Sequence, residues 1–385
     1  MSNRLQGWED LPDGLLDSII ARLGSFHDLL AFEATCRSWR AAFSSYPLKH
    51  TLVALLPPLL LRPDVPLSSP RPRPFRKSLV PTRPCRVTDI AHQDTYQCCE
   101  IPLFLTSHGK NFSPRPLERF CFRGASYGHL IFSSNRSCVV FYVFTGASVS
   151  TPKLPVFKDI ELLYDALTAP LASLNSHLIM DTGSRNLFWH VGSYSWVGCS
   201  PDDAPIKQIV ILKGRVYGMD SDRRIFKVHL TPKINVQELL VMGSSMISKW
   251  QLSKTWLVAC SDMLLLVGFQ GPLAVSGVIF KVFRLDLSTE PALWLKVEKV
   301  ENWAIFISTD KRSQALSCMN PEIWGGRSNC IYCYNHESTH WIALEVGKPL
   351  EGDHSKLSEN VFIFMGRDNK VQPMWIVPSM YSLRR

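Results

Sequence analysis

The chain has 385 residues, 46% of them hydrophobic, with 11 Trp and 20 Phe. That is ample material for a packed core and excludes a disordered chain, and the length suits a small docking unit plus one large domain, or two medium domains. The net charge of +9 invites a nucleic-acid reading, but no groove-entering helix or RNA-binding aromatic motif accompanies it, so neither nucleic acid nor, below, a membrane is an expected partner.

The N-terminus, MSNRLQGWEDLPD, is polar and acidic and holds no apolar signal-peptide core. The segment Trp8 to Phe43 then reads as three short helices. Leu15, Leu16, Ile19, Ile20 and Leu23 form one apolar face at helical spacing. Pro12 stands where a first turn tolerates a missing N–H, and Gly24 stops the helix. Ser25 with Asp28 reads as a capping box for a second helix carrying Leu29, Leu30 and Phe32. A third runs from Cys36 through Trp39 to Phe43. A unit of this size buries too little surface to be stable alone, and it offers no disulfide or metal set. Either it caps the following domain, or its remaining apolar stripe is covered by another protein.

LPDGLLDSIIARL followed by DLLAFEATCRSWR resembles an F-box, the module that docks onto the Skp-type adaptor of cullin–RING ubiquitin ligases. Trp8, Leu11, Pro12, Ile19, Leu23, Asp28, Leu29, Leu30, Cys36, Trp39 and Arg40 fall where plant F-boxes have them. Thr35 stands where that family usually has Val. The resemblance implies that Leu11, Pro12, Leu15, Ile19, Leu23, Leu30 and Trp39 bind the adaptor. It bounds the F-box at residues 1–50.

The run TLVALLPPLLL is too short for a bilayer and is broken by Pro57 and Pro58. Pro57 to Pro84 is proline-dense and reads as an extended linker, residues 51–85. Much of the charge lies there, in Arg62, Arg71, Arg73, Arg76, Lys77, Arg83 and Arg86 against Asp64, and a solvated linker accounts for it. The stretch Cys85 to Pro116 holds one candidate strand, EIPLFLTS.

From Arg119 onward, short apolar or alternating runs recur about every ten residues between Gly, Asn, Asp and Pro. They include GHLIFSS, CVVFYVFTG, NLFWHVG, RRIFKVHL, VIFKVFRLDL, WAIFIS and NCIYCYN. Many short strands with evenly spaced turns predict a sandwich, a barrel or a propeller. A blade of four strands takes about 40–50 residues, so about six blades fit a domain over 86–385. KGRVYGMDSDRRIFKVHL reads as a blade hairpin. Trp189, Trp196, Trp294, Trp341 and Trp375 recur near turns, as blade-packing residues would. The fold class is thus mainly β: a three-helix F-box followed by a β-propeller.

FRGASYGHLIF, TWLVACSDMLLLV, FKVFRLDLSTEPALWLKVEKVENWAIFIS, CMNPEIWGGRSNCIYCYN and PMWIVPSM resemble the C-terminal β-propeller of plant F-box proteins of the KIB type. The likeness runs from Cys121 to Ser379. One departure is YVFTG, Tyr142 to Gly146, where that family often has Asn-Pro-x-Thr-Gly, which puts the first blade's turn in question. Together the two resemblances imply a substrate receptor: the F-box binds a Skp-type adaptor and, through it, a cullin and a RING protein, and the propeller holds an unknown target. The target side is expected on loops at one propeller face, with Trp324, Arg327 and Asn329 as candidates. Cytoplasm, nucleus or both is the expected location. A ligase-independent scaffold or inhibitor, and a propeller enzyme or sugar binder, are the rival readings.

Several motifs imitate chemistry. GASYG, Gly124 to Gly128, matches a hydrolase nucleophile elbow, but the following HLIFSS reads as a strand where a helix is needed. Cys330, Cys333, His336 and His340 imitate a zinc set, yet the Cys–His gap is too short and a strand sends the two cysteines to opposite faces. Asn111 and Asn135 head glycosylation sequons expected to stay bare. An odd eleven cysteines fit reduced thiols better than a disulfide framework. No catalytic residue, metal or cofactor is expected.

Overall fold

A computed structural model describes residues 7–48, 52, 56–63, 82–102, 104–105, 115–116, 121–134, 137–155, 164–199, 205–243, 252, 254–270, 279–308, 310–334, 341–348 and 371–377. Within these, three helices precede a ring of six blades, each a four- or five-stranded sheet. A separate two-stranded ribbon pairs Phe104–Leu105 with Arg115–Pro116.

Blades 2, 3 and 4 are plain meanders, each starting at the central channel and moving outward. Their inner strands are Cys121–Ser126, Tyr164–Leu167 and Gln208–Leu212. Blade 5 starts at Lys254–Cys260 and gains Val241–Met242 on its outer edge. Strands such as His129–Ser133, Cys138–Tyr142 and His177–Asp181 are buried at every position. Each blade is covered on both faces by its neighbours, so its strands read as continuous apolar runs and not as alternation. The outermost strands, Ser148–Ser150 and Asn235–Glu238, are largely exposed, and the apolar signal fades there.

Blade 6 is irregular. Leu316–Met319 takes the innermost place and pairs antiparallel with Trp303–Ile307, which pairs parallel with Cys330–Tyr334. The connection passes through a 3₁₀ turn at Pro321–Trp324. Blade 1 closes the ring from both ends of the chain. Its inner strand, Met374–Ile376, pairs with Leu59–Pro63, followed outward by Thr82–Thr88 and Thr95–Pro102. The expected linker over 51–85 is corrected here. Leu59–Pro63 and Thr82 onward are propeller strands, hidden in the sequence because the partner of Leu59–Pro63 lies some three hundred residues away. Arg71, Arg73, Arg76 and Lys77 lie outside the described residues.

The helices are α1 (Asp13–Ile20), α2 (Phe26–Thr35) and α3 (Arg37–Ser45). Ser25 Oγ accepts the Asp28 N–H at 3.0 Å, satisfying one orphan donor of α2. A short turn at Trp8–Asp10 is pinned to α3: Trp39 Nε1 donates to Trp8 O at 2.9 Å and Ser38 Oγ to Glu9 O at 2.8 Å. Leu16, Ile20, Phe26, Leu29, Phe32 and Phe43 face inward and form one core with Leu59, Val87, Phe122, Phe132 and Phe141 of blades 1 and 2. The helical unit is therefore seated on the propeller, which answers how so small a trio stays folded.

Candidate functional site: two opposed faces

The seat of the helices fixes which propeller face they occupy. Phe26 of α2 meets Phe144 with ring centroids 4.7 Å apart. Phe144 lies in the turn after Cys138–Tyr142, at the end of the sheet where the inner strand of blade 2 finishes and Tyr127–Gly128 turns back. The YVFTG departure thus belongs to blade 2, not the first blade, and it supplies the aromatic ring that holds α2.

With that side covered, large apolar side chains still stand in solvent among the polar residues on the outer side of the trio. Leu15 is 54% exposed and Trp8 77% exposed. Pro12 is exposed, while Leu11, Ile19, Leu23, Leu30 and Trp39 are half-buried, packed on the rim of the core. The apolar face expected from Leu15 to Leu23 is split by the structure: Leu16 and Ile20 point in, Leu15 points out. Trp39 is steadied by Phe32, 4.6 Å away. All seven residues expected at an adaptor surface keep part of their surface in solvent, and Trp8 adds a side chain that set did not contain.

At the opposite face, where the inner strands begin, a cavity of about 300 Å³ is lined by Tyr164, Lys207, Gln208, Asp220, Ser221, Thr255, Lys311 and Arg312, among others. The hairpin turn read from KGRVYGMDSDRRIFKVHL forms part of it. Asp220 accepts from the backbone of Asp222 and Arg224 and from Arg224 Nε at 2.7 Å. Asp181 is engaged by Lys207 Nζ at 2.6 Å, and Asp310 by Arg312 at 2.6 and 2.8 Å. Lys254, Lys311 and Arg223 lie near enough to act on one another, and Arg223 donates to Leu252 O at 2.7 Å. Burial and the neighbouring Lys311 ammonium push Lys254 down to about 8. Partial burial, then Arg223, lowers Lys311 as well. Clustered cations in a low-dielectric mouth favour an anionic visitor. Below the mouth, the channel holds about 240 Å³ between Ser126, Ile209, Ala259, Gln314, Ser317 and Ile376, among others.

Trp324, Arg327 and Asn329 sit elsewhere, in the connection of blade 6, and each is engaged within the fold. Trp324 packs on Phe306 and Tyr332 at 6.3 and 5.8 Å. Arg327 donates to Ala343 O at 3.0 Å, and its backbone N–H to Tyr332 Oη at 2.8 Å. Asn329, at φ 54°, accepts the Val300 N–H at 2.8 Å. WGGRSN ends the crossover that joins Trp303–Ile307 to the parallel Cys330–Tyr334.

The imitations resolve in the same way. Gly124 to Gly128 is a hairpin, with Tyr127 and Gly128 at φ 51° and 71°, the pattern of a two-residue turn. Gly124 is needed for another reason: a Cβ there would lie 1.9 Å from Asp165 O of blade 3. Cys330 packs with Tyr332 and Trp375, Cys333 with Val258 and Ile305, on opposite faces of blade 6. His336, His340, Asn111 and Asn135 lie outside the described residues. No helix among the described residues is long and apolar enough to cross a membrane.

Residues 103–364 match the family model described as KIB1-4 beta-propeller, and residues 8–53 match that of an F-box-like domain. The chain belongs to the KIB1-4 beta-propeller family. No curated protein sequence matches it. Similar solved structures include apo AztD from Citrobacter koseri, 9% identical with TM-score 0.37, covering 64% of this chain and 75% of that one. TolB from Acinetobacter baumannii is 11% identical, TM-score 0.36, over 70% and 61% of the two chains. The WD40 domain of SCAP from fission yeast is 11% identical, TM-score 0.32, over 64% and 57%. The KIB1-4 propeller thus carries an F-box-like unit on one face and a cationic mouth on the other. Sequence reasoning missed that mouth, because its cations come from blades 4, 5 and 6 and share no motif.

Proposed function

We propose that the chain is the substrate-recognition subunit of a cullin–RING (SCF-type) ubiquitin ligase. The F-box-like unit binds a Skp-type adaptor, and the propeller face opposite it receives the target. The observation that carries this reading is the two-sidedness of the helical unit. Its inner face is spent on the propeller, yet Trp8, Pro12 and Leu15 remain outside beside half-buried Leu11, Ile19, Leu23, Leu30 and Trp39. An apolar strip on an anchored helical unit is an interaction surface by composition. The chain contributes proximity: it holds a target lysine near a charged conjugating enzyme recruited elsewhere in the assembly. The cationic mouth favours a target segment bearing acidic or phosphorylated side chains.

Co-expression with a Skp-type adaptor tests the adaptor side. The parent chain should retain the adaptor through size exclusion. Leu11→Ala with Pro12→Ala, and separately Leu15→Glu, should lose it. Truncating a buried anchor costs about 2 kcal/mol or more, roughly thirty-fold in affinity. Because Leu15 is exposed, the melting of Leu15→Glu should stay close to the parent's, which separates lost docking from lost folding. Equal retention by parent and variants would defeat the assignment. When a cullin is co-expressed as well, recovery of adaptor without cullin would assign a ligase-independent scaffold instead.

A further inference from the structure

The strand pair Thr82–Thr88 and Thr95–Pro102 of blade 1 is interrupted by a bulge. Cys85 opposes Cys99 and Arg86 opposes Gln97, so Cys98 is an extra residue on the outer strand. In a regular strand, Cys98 and Cys99 would point to opposite faces. A bulge sets two consecutive residues against one and re-aims a side chain. Here it brings both thiols to the side of Cys85, and the three sulfurs lie within 4.8 Å of one another. None is in a disulfide. Cys85 is buried, while Cys98 and Cys99 are half-buried, so the cluster has a floor and an opening to solvent. No fourth His, Cys, Asp or Glu joins them among the described residues.

We propose that Cys85, Cys98 and Cys99 form a three-coordinate thiolate site for a soft monovalent metal ion, Cu(I). Three sulfurs without a hard ligand match a soft ion. Zinc at a structural site takes four protein ligands, and this site offers three. The half-buried Cys98 and Cys99 give an ion a route from solvent to the sulfurs, which bind metal as thiolates. The Cys98 thiol also lies 3.1 Å from Cys85 O, which fixes its rotamer toward the cluster. Metal binding exchanges thiol protons for the ion and leaves sulfur and copper in their original oxidation states. Cys85 belongs to the same core as Phe26 and Phe43 of the helices. An ion that ties the two strands together therefore stiffens the part of the ring on which the F-box-like unit sits.

The test is an anaerobic titration of the reduced full-length protein with Cu(I) against a competing chelator, with Zn(II) titrated in parallel. One Cu(I) per chain, protection of three thiols from alkylation and a raised melting temperature are expected. Cys98→Ser and Cys99→Ser, both at half-exposed positions, should weaken Cu(I) by more than the roughly ten-fold typical of a lost outer-shell contact. Cys36→Ser on the helical unit should leave it unchanged. A Cys98→Ser protein that binds as tightly as the parent would overturn the assignment. So would Zn(II) bound in preference to Cu(I), or thiols lost only as a disulfide.

Discussion

At the residue scale, neighbouring letters of the sequence carry opposite duties. Leu15 and Leu16 are identical in type and adjacent, yet one is 54% exposed and the other 1%. Periodicity alone cannot separate them, because it marks a helix's apolar arc without saying which half the propeller takes. Leu16→Ala should destabilise the protein by about 2–5 kcal/mol. Leu15→Glu should leave denaturant midpoints almost unchanged, and matched unfolding curves check the pair. Gly124 is a second case. Its methyl replacement would meet backbone, the carbonyl oxygen of Asp165, so no rotamer change relieves it. Gly124→Ala should cost about 1–3 kcal/mol or more, and unchanged melting would refute the close approach of blades 2 and 3. Asp165 itself is fully buried and accepts from Ser133 Oγ, while its Oδ1 has no hydrogen-bond partner among the described residues. Burial raises its pKa to about 7, well above an unfolded aspartate. The folded chain therefore holds this proton where the unfolded chain releases it. Its contribution is full below about pH 4 and is lost as pH rises toward 7. Asp165→Asn should raise melting relative to the parent at pH 8, and the gap should close as pH falls to 5.

At the element scale, strands that complete their own hairpins were legible. NLFWHVG, RRIFKVHL and WAIFIS all became strands of blades 3, 4 and 6. The elements that escaped are those whose partners are remote or whose order is broken. Leu59–Pro63 opens on proline-rich chain, and its neighbour is Met374–Ile376. The blade 6 crossover spends Trp324 and Arg327 on contacts within the fold, and the Cys98 bulge makes a cluster that alternation would have split. The joint between α2 and blade 2 depends on Phe144, at the point where the chain departs from its family's usual turn. Phe26→Ala should cost about 3–5 kcal/mol and release the helices first. Limited proteolysis reads this directly: cleavage within residues 20–45 should precede cleavage of the ring.

At the scale of the molecule, the ring is closed by strands from its two ends, and the helices are continuous with that closure through Leu56, Leu59 and Met374 in one core. Removing residues 371–385 takes away the inner strand of blade 1 and should lower the melting temperature of the ring and of the helices together. A separate, unchanged helical transition would show that the two units are independent. The same architecture separates the two surfaces in space: the apolar side chains of the helical unit lie where the inner strands end, the cationic mouth where they begin. On the proposed reading, an adaptor docked on one side would leave the other free for a target. Amide hydrogen exchange of the full chain with and without a Skp-type adaptor tests this most directly. Protection should rise across residues 8–23 and around Trp39, while residues 207–224 and 310–313 exchange as before. Protection at the cationic mouth, or none in the helical unit, would contradict the account.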